Sequence, residues 1–319
     1  MPTRARFLLF VAAAVLAGHA APAMADGDLW IVDFEKAKAI AAKEGKDILM
    51  EFTGSDWCPP CKSLKKNVLD NEAFQKEAPK HFVLLKLDYP NDDSKQTKEE
   101  IAQNDRLKDD YKISGYPTII LVDAKGRPYA QMVGYSGAKA ESYTENLVTK
   151  VEVRKERDKF FKEAEAAEGA KKAELLAKAI SGIESELAIN TYRDTVDQII
   201  ELDANNKSGL KKKYQDLLDT AEFKKKLDDI EASARGGDAE KALKAIADLI
   251  EKEKLTEGGS LQEALYLKAQ VLFRSDKDAC ETALKQAVEA APDTDRAKEI
   301  KSILKRLFSK DEKKSDPKK

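Results

Sequence analysis

Cysteine is the scarcest informative residue in this chain, with three in 319 positions. That number excludes a scaffold held together by several disulfides. Net charge is lacking too, since 56 Lys and Arg face 58 Asp and Glu. A charged content of 36% in so even a balance suits long solvated helices and excludes the basic footprint of a nucleic-acid binder. Neither a P-loop nor a dinucleotide-type glycine-rich loop occurs. No apolar run reaches the roughly 20 residues that a membrane-spanning helix requires. No ER-retention tetrapeptide closes the sequence. What remains is an apolar fraction of 42%, enough to fill the cores of about two domains at this length.

Residues 1–25 carry the pattern of a secretory signal. Arg4 and Arg6 precede an apolar run over 7–17, and Ala23-Met24-Ala25 offers a small-x-small cleavage site before Asp26. No cysteine follows the run to accept a lipid. The expectation is an exported protein, periplasmic or extracellular, with no membrane span once the signal is removed. Disulfides persist in such compartments.

From residue 26 to about 150 helical and strand patterns alternate. Asp33 suits the cap of a helix with Phe34, Ala37, Ile40 and Ala41 on one side and Gly45 after its end. Residues 48–52 form an apolar run that does not alternate, as in a strand covered on both faces, with Glu51 as its one carboxylate. A helix carrying Leu64 and Val68 follows, then a strand at 82–87 and a helix started by Thr97 and Glu100. Strands at 119–122 and 129–133 flank the turn Asp123-Ala124-Lys125-Gly126, and a last helix starts near Lys139. This order implies a mixed sheet with helices on both faces. Pro117, after Gly115-Tyr116 and just before a strand, is a candidate for a cis peptide bond.

The chemistry concentrates in Trp57-Cys58-Pro59-Pro60-Cys61. Two cysteines at this spacing can close into a small disulfide ring and reopen. A permanent structural disulfide and a zinc site are the alternatives. Cys58, Cys61, Cys280 and His81 would supply four zinc ligands, against which stand the two prolines between ligands and the remoteness of Cys280. A thiol at a helix N-terminus is favoured as thiolate by the dipole and nearby N–H groups. Pro59 and Pro60 carry no N–H, which strips two donors from Cys58 and leans the pair toward reduction.

The segment resembles the thioredoxin family, and more narrowly its exported thiol–disulfide oxidoreductases. The resemblance rests on the run from Phe52 to Cys61, Gly115-Tyr116-Pro117-Thr118, the turn at 123–126 and Gly134. It implies a thioredoxin fold. It also implies Cys58 as the attacking thiol, Cys61 as the resolving thiol, Pro117 as a cis-proline facing them, and Trp57 and Tyr116 as substrate contacts. Glu51 falls where many members carry a buried aspartate that relays protons, but here one extra residue separates it from the motif. No cofactor or metal is implied beyond the redox-active pair.

Beyond residue 150 Lys, Glu, Ala and Leu dominate and no strand pattern appears. Helices are expected over 151–168, 171–186, 191–203, 207–218, 221–235, 239–252, 261–274, 277–290 and 294–308. Paired helices at a repeat of roughly 35–40 residues suggest a helical solenoid. The stretches 237–243 and 287–292 resemble degenerate tetratricopeptide repeats, with a plain bundle as the rival. Cys280 shares a helix face with Leu284 and Ala287 and reads as a small buried apolar residue. Residues 309–319 form a charged tail. Two functions follow. One is an exported thiol–disulfide oxidoreductase with disulfide-containing protein substrates, an unidentified redox partner and a possible protein partner on the helical domain. The other is a protein-binding scaffold in which the helical domain is primary.

Overall fold

The computed structural model describes residues 29–308. The signal pattern over 1–25 and the charged tail over 309–319 lie outside the described residues. The N-terminal half is built on a five-stranded sheet in the order β1-β3-β2-β4-β5: β1 (Trp30–Ile31), β2 (Asp47–Thr53), β3 (Phe82–Asp88), β4 (Thr118–Val122) and β5 (Pro128–Val133). Strands β1 and β2 run parallel to β3, whereas β2–β4 and β4–β5 are antiparallel.

Strand β2 is buried at all seven positions, which accounts for its unbroken apolar run. Because side chains alternate along a strand, Ile48, Met50 and Phe52 join one core, with α1 (Phe34–Glu44) and α4 (Lys98–Asp110). Leu49 joins the other, with α2 (Pro59–Leu64), α3 (Glu72–His81) and α5 (Ala140–Thr149). Glu51 has the same parity as Leu49 and faces that second layer. The expected cap at Asp33 accepts the Lys36 N–H, and Gly45 closes α1 in the left-handed conformation at φ 67°. Thr97 caps α4 through the Glu100 N–H at 3.1 Å.

Two elements have no counterpart in the sequence reading, β1 and α3. Strand β1 is two residues long and has no period to detect. Helix α3 contains Pro79, which looks like a breaker. It lies in the last turn, where its missing N–H costs only one helical bond, and Asn71 caps the start by accepting the Ala73 N–H.

The C-terminal half is helical: α6 (Val151–Glu165), α7 (Gly169–Ser181), α8 (Ser185–Thr191), α9 (Arg193–Leu202), α10 (Leu210–Arg235), α11 (Ala239–Lys252), α12 (Gly259–Leu272), α13 (Lys277–Ala290) and α14 (Asp295–Phe308). Two boundaries differ from expectation. The helix expected over 171–186 ends at Ser181, where Gly182 leaves room for Val153, and the Glu184 carboxylate caps a new helix by accepting the Glu186 and Leu187 N–H groups. Conversely, the helices expected over 207–218 and 221–235 are one 26-residue helix. The hydroxyl of Thr220, in the gap between the two expected helices, donates to the Asp216 carbonyl at 2.7 Å and is satisfied within the helix. Cys280 is a free, buried thiol packed with Ala283, Leu284 and Ala287, and burial raises its pKa.

The halves meet through a buried guanidinium. Arg157 on α6 is 0% exposed. It donates to Asp123 at 2.6 Å, to Asp158 at 2.8 Å, to the Tyr192 hydroxyl at 2.8 Å and to the Arg127 carbonyl at 3.2 Å. Burial alone would raise the Asp123 carboxyl, but the Arg127 backbone N–H and the charges of Arg157 and Arg127 outweigh it and hold the group below its ordinary range. Nearby, Arg154 and the Tyr129 hydroxyl both donate to Asp47, at 3.0 and 2.9 Å. Removing Arg157 leaves Asp123 with Arg127 at 2.8 Å but takes the donor from the Tyr192 hydroxyl and the Arg127 carbonyl, and a buried polar group left without its partner costs about 1–3 kcal/mol. Arg157→Met, which keeps the bulk but not the charge, is therefore expected to lower stability by about 1–3 kcal/mol. Urea denaturation checks this, and an unchanged midpoint would show that the junction contributes no net stability.

Candidate redox site

The end of β2 feeds directly into the cysteine motif. Gly54 O accepts the Cys58 N–H at 2.9 Å and the Trp57 N–H at 3.3 Å, turning the chain into α2. A Cβ on Gly54 would lie 2.4 Å from the Trp57 ring, so only glycine lets the indole lie across this turn. The loop is tied to the end of β3 as well. The Asp88 carboxylate accepts the Ser55 N–H at 2.9 Å, and the Asp56 carboxylate accepts the Asn91 N–H.

Cys58 stands at the N-cap of α2, with Pro59 and Pro60 opening the helix, where missing N–H groups cost least. Its sulfur is bonded to that of Cys61 and accepts the Cys61 N–H at 3.2 Å. Among the described residues that is the single hydrogen bond to this sulfur. Helix α2 then widens into a π-helical turn, Lys65–Leu69.

Trp57 and Tyr116 flank the pair. Trp57 is 43% exposed, its indole N–H donates to the Tyr89 carbonyl at 2.7 Å, and its ring meets that of Tyr116 edge-on at 5.6 Å between centroids. Tyr89 packs its own ring against Tyr116 at 5.2 Å. Tyr89 thus braces both aromatic residues, a role the sequence reading missed although Tyr89-Pro90 marks the strand end. The Tyr116–Pro117 peptide bond is cis.

Glu51 and Cys61 line one cavity of about 290 Å³, together with Lys65, Asp70 and Lys86. Glu51 is 4% exposed, and burial lifts its carboxyl to about 7 against the opposing charge of Lys86, with Asp88 adding to the rise. The nearby ammonium groups are engaged elsewhere, Lys86 with Asp88 at 3.0 Å and Lys65 with Asp70 at 2.5 Å. His81 stands apart, with its ring Nε2 3.1 Å from Glu77. Cys280 lies in the helical core, so the four residues weighed as zinc ligands are not one cluster. Among the described residues no group of three or more His, Cys, Asp or Glu side chains is placed to hold a metal ion.

Residues 34–147 match the family model of the thioredoxin-like domain. The N-terminal half is thioredoxin-like. The match ends before the helical half. The chain is 28% identical over 121 residues to the disulfide bond reductase DsbH of Chlamydia pneumoniae, covering 38% of this chain and 72% of that protein. It is 27% identical over 127 residues to the thioredoxin-related protein DsbJ of the same organism, covering 40% of this chain and 36% of that one. A solved structure of DsbH oxidoreductase aligns with a TM-score of 0.37 at 27% identity, over 39% of this chain and 85% of that chain. A thioredoxin-like domain with a bonded Cys-x-x-Cys pair at a helix N-terminus is the arrangement of a thiol–disulfide oxidoreductase.

The raised Glu51 pKa has a measurable consequence. Between its unfolded pKa near 4.5 and about 7, the folded state binds the proton that the unfolded state has released. Stability therefore falls as pH rises through that window. Glu51→Gln lacks this loss. It is expected to match wild type at pH about 4 and to exceed it by an amount of order 3 kcal/mol at pH about 8, from the linkage of each pKa unit to about 1.4 kcal/mol. Urea melts of the oxidised proteins at both pH values test this, and parallel behaviour would mean that Glu51 titrates normally.

Proposed function

We propose that this protein is an exported thiol–disulfide oxidoreductase that reduces disulfides in protein substrates, with Cys58 as attacking and Cys61 as resolving thiol. The observation that carries the reading is the bonded Cys58–Cys61 pair with Cys58 at the N-cap of α2. Exposure does not rank the two sulfurs, at 2% and 1%. The helix N-terminus does, because it favours the thiolate at Cys58.

In the reduced protein, the Cys58 thiolate attacks one sulfur of a substrate disulfide. That S–S bond breaks, a mixed disulfide forms, and the first substrate thiolate leaves and takes up a proton. Cys61 gives its proton to Glu51, becomes a thiolate and attacks the Cys58 sulfur. The mixed disulfide breaks, the second substrate thiolate leaves and takes up the proton that Glu51 releases, and Cys58–Cys61 closes. The substrate gains two electrons and the protein loses two, so a dithiol or thiol donor must recharge the pair. Glu51 suits its role because a carboxyl titrating near 7 can both accept and release a proton at neutral pH. No cofactor is needed, because the pair itself carries the electrons. Trp57, Tyr116 and Pro117 contact the substrate segment beside Cys58.

The donors around Cys58 support the reducing direction. Cys58 has the Cys61 N–H alone, since Pro59 and Pro60 have none to give. A thiolate with few donors is only moderately stabilised, which leaves the dithiol form a reductant. The resemblance to a protein named a disulfide bond reductase supports the same direction. Export rests on the signal pattern over 1–25. Among the described residues no helix is long and apolar enough to cross a membrane. The helical half is assigned to selecting substrates or the redox partner.

Reduction of a protein disulfide by the thiol-charged protein tests the reading. Cys58→Ser and Cys61→Ser are each expected to be slower than wild type by roughly 100-fold or more, as for loss of a nucleophile or its partner. Cys61→Ser alone is expected to accumulate mixed disulfides through Cys58. Equal rates in all three proteins, or an empty trap in cells rich in the variant, would instead favour a scaffold built on the helical half.

A further inference from the structure

The open edge of the sheet carries the next inference. Strand β5 is an edge strand, and unpaired strand edges are covered in soluble proteins unless they bind something. At its start β5 is covered by the helical half. The Tyr192 hydroxyl donates to the Pro128 carbonyl at 2.7 Å, and Arg157 donates to the Arg127 carbonyl at 3.2 Å. Toward its end the cover stops. The Gly134 N–H donates to the Pro117 carbonyl at 2.7 Å, and the register continues as Val133↔Thr118, Met132↔Ile119 and Gln131↔Ile120. Antiparallel ladders alternate bonded and non-bonded pairs. The backbone N–H and C=O groups of Gln131 and Val133 therefore point away from β4, toward the open side.

A groove of about 330 Å³ lies along that side. Ser114, Gln131 and Val133 line one wall, and Glu186, Asn190 and Lys224 of the helical half line the other. Its Ser114 end lies two residues before Tyr116 in the chain. A methyl on Gly115 would meet Val133 at 3.8 Å, and the next residue, Tyr116, touches Trp57. Val133 is 59% exposed and Trp57 43%, so an exposed apolar side chain stands at the groove and another beside Cys58. Glu186 pairs with Lys224 at 2.6 Å, and Asp110, Lys112 and Glu184 also line the groove, so its walls carry charges of both signs and no single-sign patch. Outward backbone groups at every second residue, an apolar entrance and an amide wall fit an extended polypeptide, recognised through its backbone.

We propose that this groove holds the polypeptide segment flanking the substrate's disulfide cysteine, added as a strand to the free end of β5 with α8 and α10 as the outer wall. The proposal rests on the oxidoreductase reading and sharpens its substrate class. A compact folded protein has no free strand to lay against β5, so the disulfides served are those in unfolded or locally unfolded segments. The helical half is then part of the substrate site.

Two substitutions outside the redox machinery test this. Gln131→Pro removes an outward N–H, at a position where an edge strand tolerates proline. Asn190→Trp fills the groove from the opposite wall and keeps the test intact should the proline disturb β5. Each protein is assayed on a small aromatic disulfide, dithiobis-nitrobenzoate, and on an unstructured peptide disulfide with flanks of about ten residues, long enough to reach along the strand. Both variants are expected to raise KM for the peptide by about five-fold or more, with kcat and the rate on the small disulfide unchanged, as when binding uniform to ground and transition states is lost. Wild-type-like kinetics on the peptide in both variants would overturn the groove while leaving the redox reading intact. A wild-type protein inactive on both disulfides would overturn the redox reading and the groove with it.

Discussion

Strand β2 is hydrogen-bonded on both sides, to β3 and β4, and covered on both faces. This gives the redox loop a support with no slack, because a one-residue slip would turn every side chain of the strand to the opposite layer. It also creates the least comfortable group in the domain. A carboxylate in the middle of a doubly covered strand loses its water, and the ammonium groups that would repay that loss are held by Asp88 and Asp70. Glu51 therefore stays protonated to near neutrality, where the chemistry of a thiol relay has a use for it. The same strand thus supplies the rigidity under Cys58 and the proton acceptor proposed for Cys61.

The Arg157 junction extends that rigidity across the chain. Its partners belong to the turn before β5 and to the first helices of the other half, so α6 cannot swing away without stranding a buried guanidinium. A buried ion pair adds little net stability over an apolar contact, yet its geometry is exacting and its disruption costly. Orientation is what such a junction secures. It places α8 beside β5 at a fixed offset, covering the start of the strand and leaving the end next to Tyr116 open. Had the halves been joined by a flexible linker, no groove with two walls would exist.

The residues that could be read in sequence were those whose role is local. Cys58, Pro59, Pro60 and Cys61 are adjacent, and the caps Asp33 and Thr97 act within a single turn. Strand β2 announced itself because burial on both faces removes alternation. Arg157 and Tyr192 gave no signal, since one arginine and one tyrosine in a charged helical region look solvated until the tertiary structure buries them. Tyr89 was equally silent, because its work is done by a backbone carbonyl and a ring meeting residues far along the chain. The bend at Gly182 and the continuity through Thr220 failed for the complementary reason. Helix breaks depend on whether a local polar group finds a partner inside the helix or outside it, and spacing alone does not carry that.

Two features of the site act on opposite cysteines and push in one direction. The paired prolines limit the donors around Cys58, so its thiolate is not held so firmly that it resists attacking another disulfide. In the proposed mechanism Glu51, which lines one cavity with Cys61, takes a proton at the moment the resolving thiol must ionise. A site made to oxidise would invert both settings, crowding donors around the first sulfur to stabilise the reduced form. On the proposed reading the reduced form is kept reactive, and the second step is eased by a base whose affinity for protons matches neutral conditions. Speed in resolving the mixed disulfide matters most when the substrate is a long flexible segment held along β5, because such a segment stays at high local concentration beside Cys58 and would otherwise re-form its own disulfide or linger as the trapped adduct. The proposed groove and the proposed base are therefore complementary: the groove would hold the polypeptide long enough to react, and the base would speed its release before holding becomes trapping.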